Sequence, residues 1–409
     1  MNALSKQRVL SATIALLAPA VICSQAPIYE VAGEDPGEAY AHALAGGGDA
    51  DGDGRPDFLV GAPRASVGAS TWNGRAELRS GSSGARRWST PGAADGEEFG
   101  TAAAWIGDLD GDGSADFLVG GPSTATAAPS SGFAAVLSGA SGLSLRITVG
   151  GPAPEAYGAS VAGPGDVDGD GVPDVLVGAP GAPGAGLTGY ARVTSGGTGF
   201  PLYTLFGDLP GATFGASVTG VGDWNGDGFP DLAAGGAVGD PNRVRVFSGL
   251  GGGVLQEWNF TPCPIPSCLG ENPHFGSALD GPGDLNGDGL VELLIGAPNL
   301  GVGPSGLAPP GFARAYTSAG ASALYQLKGV EDFDAYTQFS LENPNTPPLL
   351  GSLGFLDGLG RAGAAFVLPP GSSPSLAGLE AHHACAVVDA LGSGQVELTS
   401  NAAPLVMFP

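Results

Sequence analysis

Residues 99–122 read Phe99-Gly-Thr-Ala-Ala-Ala-Trp-Ile-Gly-Asp108-Leu-Asp110-Gly-Asp112-Gly113-Ser114-Ala-Asp116-Phe-Leu-Val-Gly-Gly-Pro122. An aromatic-Gly pair opens a short apolar stretch. An acidic loop follows, with carboxylates at its first, third, fifth and ninth positions, and an apolar run then stops at Gly-Pro. The same order recurs along the chain. Acidic loops begin at Asp49, Asp108, Asp166, Asp223 and Asp284, at intervals of 59, 58, 57 and 61 residues. Such regularity marks a repeat architecture in which each unit is one supersecondary structure.

Each unit holds four short runs with strand character. The first is opened by an aromatic residue: Tyr40, Phe99, Tyr157, Phe214 or Phe275. The second follows the acidic loop and runs into Gly-Ala-Pro or a variant, at 58–63, 117–122, 175–180, 232–237 and 293–298. The third alternates, as in Gly189-Tyr-Ala-Arg-Val-Thr-Ser-Gly196, and the fourth is shorter, as in 145–149, 202–206 and 324–327. Period-two alternation bounded by Gly and Pro predicts strands throughout. The fold class is therefore all-β, a β-propeller of four-stranded antiparallel blades. A parallel β-helix uses much shorter repeats and fits poorly. A degenerate sixth unit is expected from Gln338-Phe339 and from 360–368, with the acid-free stretch 343–348 in place of the loop. Strands at 383–389, 395–400 and 405–408 would join Ile28-Tyr-Glu-Val31, which resembles Leu202-Tyr-Thr-Leu205, in a terminal closing blade. Closing the ring this way hides two exposed strand edges. Seven blades are favoured; the alternative is six with a C-terminal appendage.

The acidic loops read D-x-D-x-D-G-x-x-D. Their acids are Asp49, Asp51, Asp53 and Asp57; Asp108, Asp110, Asp112 and Asp116; Asp166, Asp168, Asp170 and Asp174. The fourth loop has Asp223, Asn225, Asp227 and Asp231, and the fifth Asp284, Asn286, Asp288 and Glu292. Carboxylates at alternate positions converge only if the chain wraps around a common centre, and the glycine at position six permits that sharp turn. Backbone carbonyls at position seven would add a ligand from Arg55, Ser114, Val172, Phe229 and Leu290. A cage of hard oxygens suits Ca²⁺ better than Mg²⁺ or soft metals. About five calcium sites are expected, with the fifth distorted by the longer Glu292. An EF-hand needs a glutamate at position twelve, where Val60, Val119, Val177, Ala234 and Ile295 stand here.

Composition bounds the partners. The chain has 409 residues, 74 Gly, 35 Pro and 40 acidic against 15 basic residues, for a formal charge of −25. That charge argues against nucleic acid or an anionic membrane as partner. Five divalent ions would bring it to about −15 by charge counting alone. Residues 1–26 carry Lys6 and Arg8 before an apolar run from 9 to 22, the pattern of a signal peptide too short to span a bilayer. Residues 27–409 form the repeat domain. Secretion, or a cell-surface or periplasmic location, makes a Cys263–Cys268 disulfide the favoured state.

With these residues in view, the repeats resemble the FG-GAP repeat of the integrin α-subunit N-terminal β-propeller. The likeness is strong from about residue 28 to 320 and weak beyond. It implies that each acid and asparagine named above ligates metal in its own loop. It also points to a cell-adhesion type of function.

The acidic loop joins strands one and two, so all metals should lie on one face of the disc. The longer connections, such as 122–132, 180–189, 262–273 and 298–311, leave from the other face. A rigid scaffold presenting variable loops is the usual form of a binding site. A protein or glycan ligand is therefore expected on the metal-free face of a monomer, with calcium as a stiffener. The four histidines do not assemble into a pair with metal or catalytic spacing, and no nucleophile elbow or phosphate loop occurs. The chain reads as a non-enzyme with no catalytic residues. A structural matrix or surface-layer component, and a propeller-based hydrolase or lyase, are the alternatives.

Overall fold

The computed structural model describes residues 29–123, 132–151, 155–181, 186–236, 242–260, 274–298 and 311–320, and the backbone of six later strands. The signal segment, the Cys263–Cys268 pair, the stretch 343–348 and most of the long connections lie outside the described residues. Among the described residues every regular element is a strand. The chain divides into two units, one spanning Tyr29–Glu331 and one containing Asp332–Pro409.

The first unit holds five four-stranded antiparallel sheets. They are β1 (Ala43–Gly46) to β4 (Arg86–Pro91), β5 (Ala102–Gly107) to β8 (Ser144–Val149), and β9 (Ser160–Gly165) to β12 (Pro201–Phe206). The last two are β13 (Ser217–Gly222) to β16 (Val254–Phe260) and β17 (Ala278–Gly283) to β20 (Ala323–Lys328). In each sheet the strands pair in chain order. This is the blade of a β-propeller.

Second strands are buried on both sides: β6 (Asp116–Gly121), β10 (Asp174–Ala179) and β14 (Asp231–Gly236) are buried at every residue. Their unbroken apolar runs follow, because both faces meet neighbouring sheets. Fourth strands alternate and are largely exposed, as in β4 and β8. First strands of successive sheets pack side by side, β1 on β5, β5 on β9, β9 on β13 and β13 on β17. Strand one is therefore innermost and strand four outermost. The apolar core is divided accordingly. Leu59 and Leu78 of the first sheet meet Phe117 and Val119 of the second. Leu176 and Val193 of the third meet Phe214 and Leu232 between the third and fourth.

The glycines of the two recurring motifs meet across these interfaces. A Cβ on Gly61 would lie 2.1 Å from the Gly100 carbonyl oxygen, and one on Gly120 2.0 Å from that of Gly158. The glycine ahead of Ala-Pro in one sheet thus abuts the glycine after the aromatic in the next. Only hydrogen fits between two backbones so close.

A second inter-sheet device uses the middle of strand four. Trp88 Nε1 donates to Gly139 O at 2.7 Å, Arg146 Nη2 to Gly197 O at 2.7 Å, and Tyr203 OH to Gly249 O at 2.6 Å. Each reaches the turn between strands three and four of the following sheet. Tyr29 makes the same bond to Gly81 O at 3.2 Å and stacks on Phe58 with ring centres 5.9 Å apart. Tyr29-Glu-Val31 forms no strand, unlike the sequence expectation, because no described partner offers it a ladder. Its tyrosine nevertheless fills a strand-four place ahead of the first sheet.

In the second unit, β21 (Thr337–Gln338), β22 (Leu353–Leu356), β23 (Ala362–Ala365), β24 (Glu380–Val388) and β25 (Val396–Val406) form one antiparallel sheet in the order β21-β22-β23-β25-β24. The expected strands at 395–400 and 405–408 are one continuous strand. Strand β23 meets β25 only at Glu397 and Leu398, so among the described residues Pro404, which has no N–H to give, faces no partner on that side. The strands assigned from sequence to a sixth and to a closing blade share this single sheet.

Candidate metal centre

Each acidic loop joins strands one and two of its sheet, and the turn joining strands three and four packs beside it. Positions four and six of the loop are glycines with positive φ, 76° and 90° at Gly111 and Gly113. A side chain there would be strained even though the space is open. These glycines let the backbone fold over the first aspartate. Asp108 accepts from Gly111 N–H at 2.7 Å, Asp112 N–H at 3.1 Å and Gly113 N–H at 2.8 Å. Asp110 accepts from Asp112 N–H at 3.1 Å, and Asp112 from Ser114 N–H at 2.7 Å. The other four loops repeat this winding, as at Asp49, Asp166, Asp223 and Asp284.

The ninth-position acid does something the sequence pattern did not reveal. Asp57, Asp116, Asp174 and Asp231 are buried. One oxygen of Asp116 accepts from Leu109 N–H at 2.8 Å within the loop, and the other from Gly139 N–H at 3.0 Å in the neighbouring turn. Asp57 holds Ala50 and Gly81, Asp174 holds Val167 and Gly196, and Asp231 holds Trp224 and Gly249 in the same way. The carboxylate therefore staples the metal loop to the next turn. The recurring Ser-Gly that ends strand three was the available signal. A Cβ on Gly139 would lie 1.8 Å from Ala115 O, so the staple requires glycine.

The fifth loop breaks this rule twice. Register sets Thr317 opposite Glu292, which places Ser318 where the other sheets have that glycine. Its N–H bonds to Val291 O at 3.2 Å, and not to the acid. Glu292 keeps the loop bond, from Leu285 N–H at 2.6 Å, but its other oxygen accepts from Asn286 Nδ2 at 3.2 Å.

The structure brings three carboxylates together in each of the first three loops. Ligand atoms of Asp49, Asp51 and Asp53, of Asp108, Asp110 and Asp116, and of Asp166, Asp168 and Asp174 lie within 4.8 Å of one another. Oxygens 2.3–2.6 Å from one Ca²⁺ span at most about 5 Å, so these clusters have the size of a coordination shell. In the fourth and fifth loops, asparagine replaces one acid, and its amide Nδ2 donates to Asp227 at 2.9 Å and to Asp288 at 3.0 Å. In the first loop, the Arg87 guanidinium lies 3.6 Å from Asp51.

Electrostatics distinguish the positions. Burial pushes Asp116 and Asp231 above the ordinary carboxylate range, and pushes Asp174 up to about 6, with Asp168 and Asp166 adding repulsion. The rim acids move the other way: Asp53 is lowered by a hydrogen bond from Ser82, and Asp284 by one from Gly289 N–H. A buried carboxylate facing like charges is the group a divalent cation relieves most. The all-oxygen donor set and the spacing both fit calcium.

Comparison with known proteins identifies the repeat. The FG-GAP repeat model matches residues 40–76 and 157–194, and the FG-GAP-like repeat model matches 223–295. Integrin alpha-V of Gallus gallus is 28% identical over 209 residues, covering 47% of this chain and 19% of the relative. Integrin alpha-5 of Xenopus laevis is 30% identical over 225 residues, covering 50% and 20%. Integrin alpha-7 of Homo sapiens is 33% identical over 141 residues, covering 32% and 11%. The chain thus matches a fifth or less of the length of these relatives. Two solved structures, Sqt1 of Saccharomyces cerevisiae and the Dos1 propeller, align at TM-scores of 0.40 and 0.41, each 12% identical. They cover 75% and 88% of this chain, and 65% and 67% of their own.

Proposed function

We propose that this chain, which carries FG-GAP repeats, is a secreted, calcium-stiffened β-propeller acting as a binding or adhesion module. The observation that carries the reading is the convergence of three carboxylates within 4.8 Å in each of three successive repeats. Five loops share the motif, so five calcium ions are proposed. Their ligands are the acids and asparagines of positions one, three, five and nine, and the position-seven carbonyls of Arg55, Ser114, Val172, Phe229 and Leu290. Residues 1–26 act as the signal peptide, which delivers residues 27–409 outside the cell or to its surface.

The loops and the turns stapled to them leave little freedom on the calcium side. Connections from strand two to three and from strand four to one leave from the opposite ends of the strands, and in sequence these vary most in length and composition. A protein or glycan ligand is proposed there, and calcium acts by holding the blades rigid. Two measurements test the two halves of the proposal. Calcium at 100 times its dissociation constant should stabilise the fold by about 2.7 kcal/mol per site. A melting temperature indifferent to chelator would refute the metal assignment. The calcium-loaded chain is then screened on immobilised glycans and matrix proteins. A ligand found there should still bind the folded Asp110→Ala variant, and its loss would place the ligand on the calcium face instead.

A further inference from the structure

The first sheet differs from the others in what covers it. Its third strand, β3 (Arg75–Arg79), buries Ala76 and Leu78 against Phe117 and Val119 of the second sheet. The alternate residues Arg75, Glu77 and Arg79 therefore point to the opposite side. Register sets Phe133, Ala135 and Leu137 at the same three places in the second sheet, where they pack against the first. On the first sheet a strap formed by residues 29–40 covers that side instead.

Charge holds the strap in place. Glu34 accepts from Arg75 Nη1 at 2.8 Å and pairs with Arg86. Glu38 accepts from Arg75 Nη2 at 3.0 Å, and Arg75 Nε lies 3.0 Å from Glu77 Oε1. Tyr40 OH donates to Glu77 at 3.2 Å, and Arg79 Nη2 donates to the same carboxylate at 2.7 Å. Arg75, Glu38 and Glu77 are all buried. The Arg86 and Arg75 guanidiniums hold the Glu34 carboxyl below its ordinary range. Arg75, Arg79 and Arg86 against Glu77 leave the sheet with two uncompensated positive charges. Glu34 and Glu38 of the strap match both. Yet residues 29–38 form no strand. Their backbone reaches the sheet where Arg64 N–H donates to Glu38 O at 3.0 Å. The strap is thus fixed chiefly by its side chains, and a second strap of the same sequence would reproduce every contact.

The junction between the strap and β1 is strained. In the other four sheets the opening aromatic is followed by Gly100, Gly158, Gly215 or Gly276, with φ of 95°, 93°, 86° and 87°. In the first sheet Ala41 stands at this place, with φ of 63°. A side chain is disfavoured in the left-handed region. Ala41 is also exposed, so burial of its methyl group does not offset the strain. Straightening the chain at Ala41 would relieve it, and would carry the strap away from its own sheet.

We propose that the strap exchanges between two copies of this chain, so that residues 29–40 of each cover the first sheet of the other. The two straps are identical, so the exchange keeps the ion pairs of the closed chain and gains a relaxed Ala41. Swapping an identical element is a low-cost route to a dimer. The tethered strap competes at an effective concentration on the order of millimolar, so the dimer should grow as the chain approaches that concentration. The proposal is independent of the binding-module reading, and concerns a face that reading does not use.

Sedimentation of the full chain after prolonged incubation tests it. Ala41→Gly, which installs the residue of the other four sheets, should lower the dimer association constant about tenfold by relieving strain in the monomer. Glu34→Gln with Glu38→Gln removes the charges of the strap, and Arg75→Gln with Arg86→Gln removes those of its site. Each double variant alone should stay monomeric. Mixed, they should form a heterodimer at lower concentration than the wild-type chain dimerises, because one intact strap meets one intact site and neither competes within its own chain. A side-by-side contact that leaves the straps in place predicts no such rescue. A wild-type chain monomeric up to the millimolar range, a dimer indifferent to Ala41→Gly, or a dimer retained by each double variant alone would overturn the proposal. Should the Arg75→Gln, Arg86→Gln chain fail to fold, the wild-type and Ala41→Gly comparison decides by itself.

Discussion

Asp110 and Asp116 belong to one loop and answer to different partners. Asp110 is exposed and accepts one bond, from Asp112 N–H at 3.1 Å. Asp116 is fully buried and satisfies two backbone donors in two segments. Asp110→Ala should leave the chelated protein within about 0.5 kcal/mol of wild type, yet remove the calcium-dependent stabilisation of that loop. Asp116→Ala should cost about 2–4 kcal/mol in chelator as well, because it strands two buried N–H groups. Chemical denaturation with and without calcium separates the two. Asp174 adds a pH dependence. Its folded, metal-free pKa is raised to about 6, so the stability it contributes is present below its unfolded value and is lost as pH rises through about 6. The chelated protein should lose on the order of 2–3 kcal/mol from this group between about pH 4 and 6. Calcium must displace the same proton, so the calcium midpoint should rise as pH falls from 7 to 5. A midpoint flat over that range would remove Asp174 from the ligand set.

At the scale of the element, each blade is specified by small residues where backbones touch. Gly120 is tightly constrained, its missing side chain being 2.0 Å from a carbonyl of the next sheet. Gly120→Ala should destabilise by at least about 3 kcal/mol, since a fixed backbone cannot give way as a flexible side chain would. Gly113→Ala meets nothing within 4 Å and pays only for its φ of 90°, about 1–2 kcal/mol. Thermal melts of the two variants rank the effects, and equal losses would mean that inter-blade contact is looser than the distances state. These glycines were visible as motifs in the sequence, but their purpose was not. A motif shows that a residue recurs, whereas the clash distance depends on a neighbour about 40 residues away, Gly158 for Gly120.

Across the whole first unit, stability is distributed over interfaces between consecutive sheets and not gathered in one core. Each of the first three sheets leans on the next through a strand-four side chain that caps a turn. Tyr29 continues that series ahead of the first sheet. Tyr29→Ala should therefore cost about 1–3 kcal/mol, combining a lost hydrogen bond with half-buried ring surface. Tyr29→Phe should cost only the hydrogen-bond share, about 1 kcal/mol. Hydrogen exchange should show the loss concentrated at Gly81 and its turn. An unaltered first sheet would mean that the N-terminal segment is a passenger.

The sequence by itself determined the all-β repeat, the four strands of each blade and the aspartates that gather in the loops, because all three are local. Strand alternation, glycine turns and alternate carboxylates act over fewer than about ten residues, and a constant period carries them from unit to unit. Only the tertiary structure decided what depends on neighbours from other units or turns. It showed that the ninth acid staples two segments, that Ser318 in place of glycine alters the fifth loop, and that the terminal strands share one sheet. Each of these is a matter of which atoms come within a few ångströms across a gap in sequence, and no local pattern encodes such a distance. The loop from Asp108 to Asp116 thus holds two devices in one: a carboxylate cluster legible in its spacing, and a structural staple visible only where Gly139 meets it.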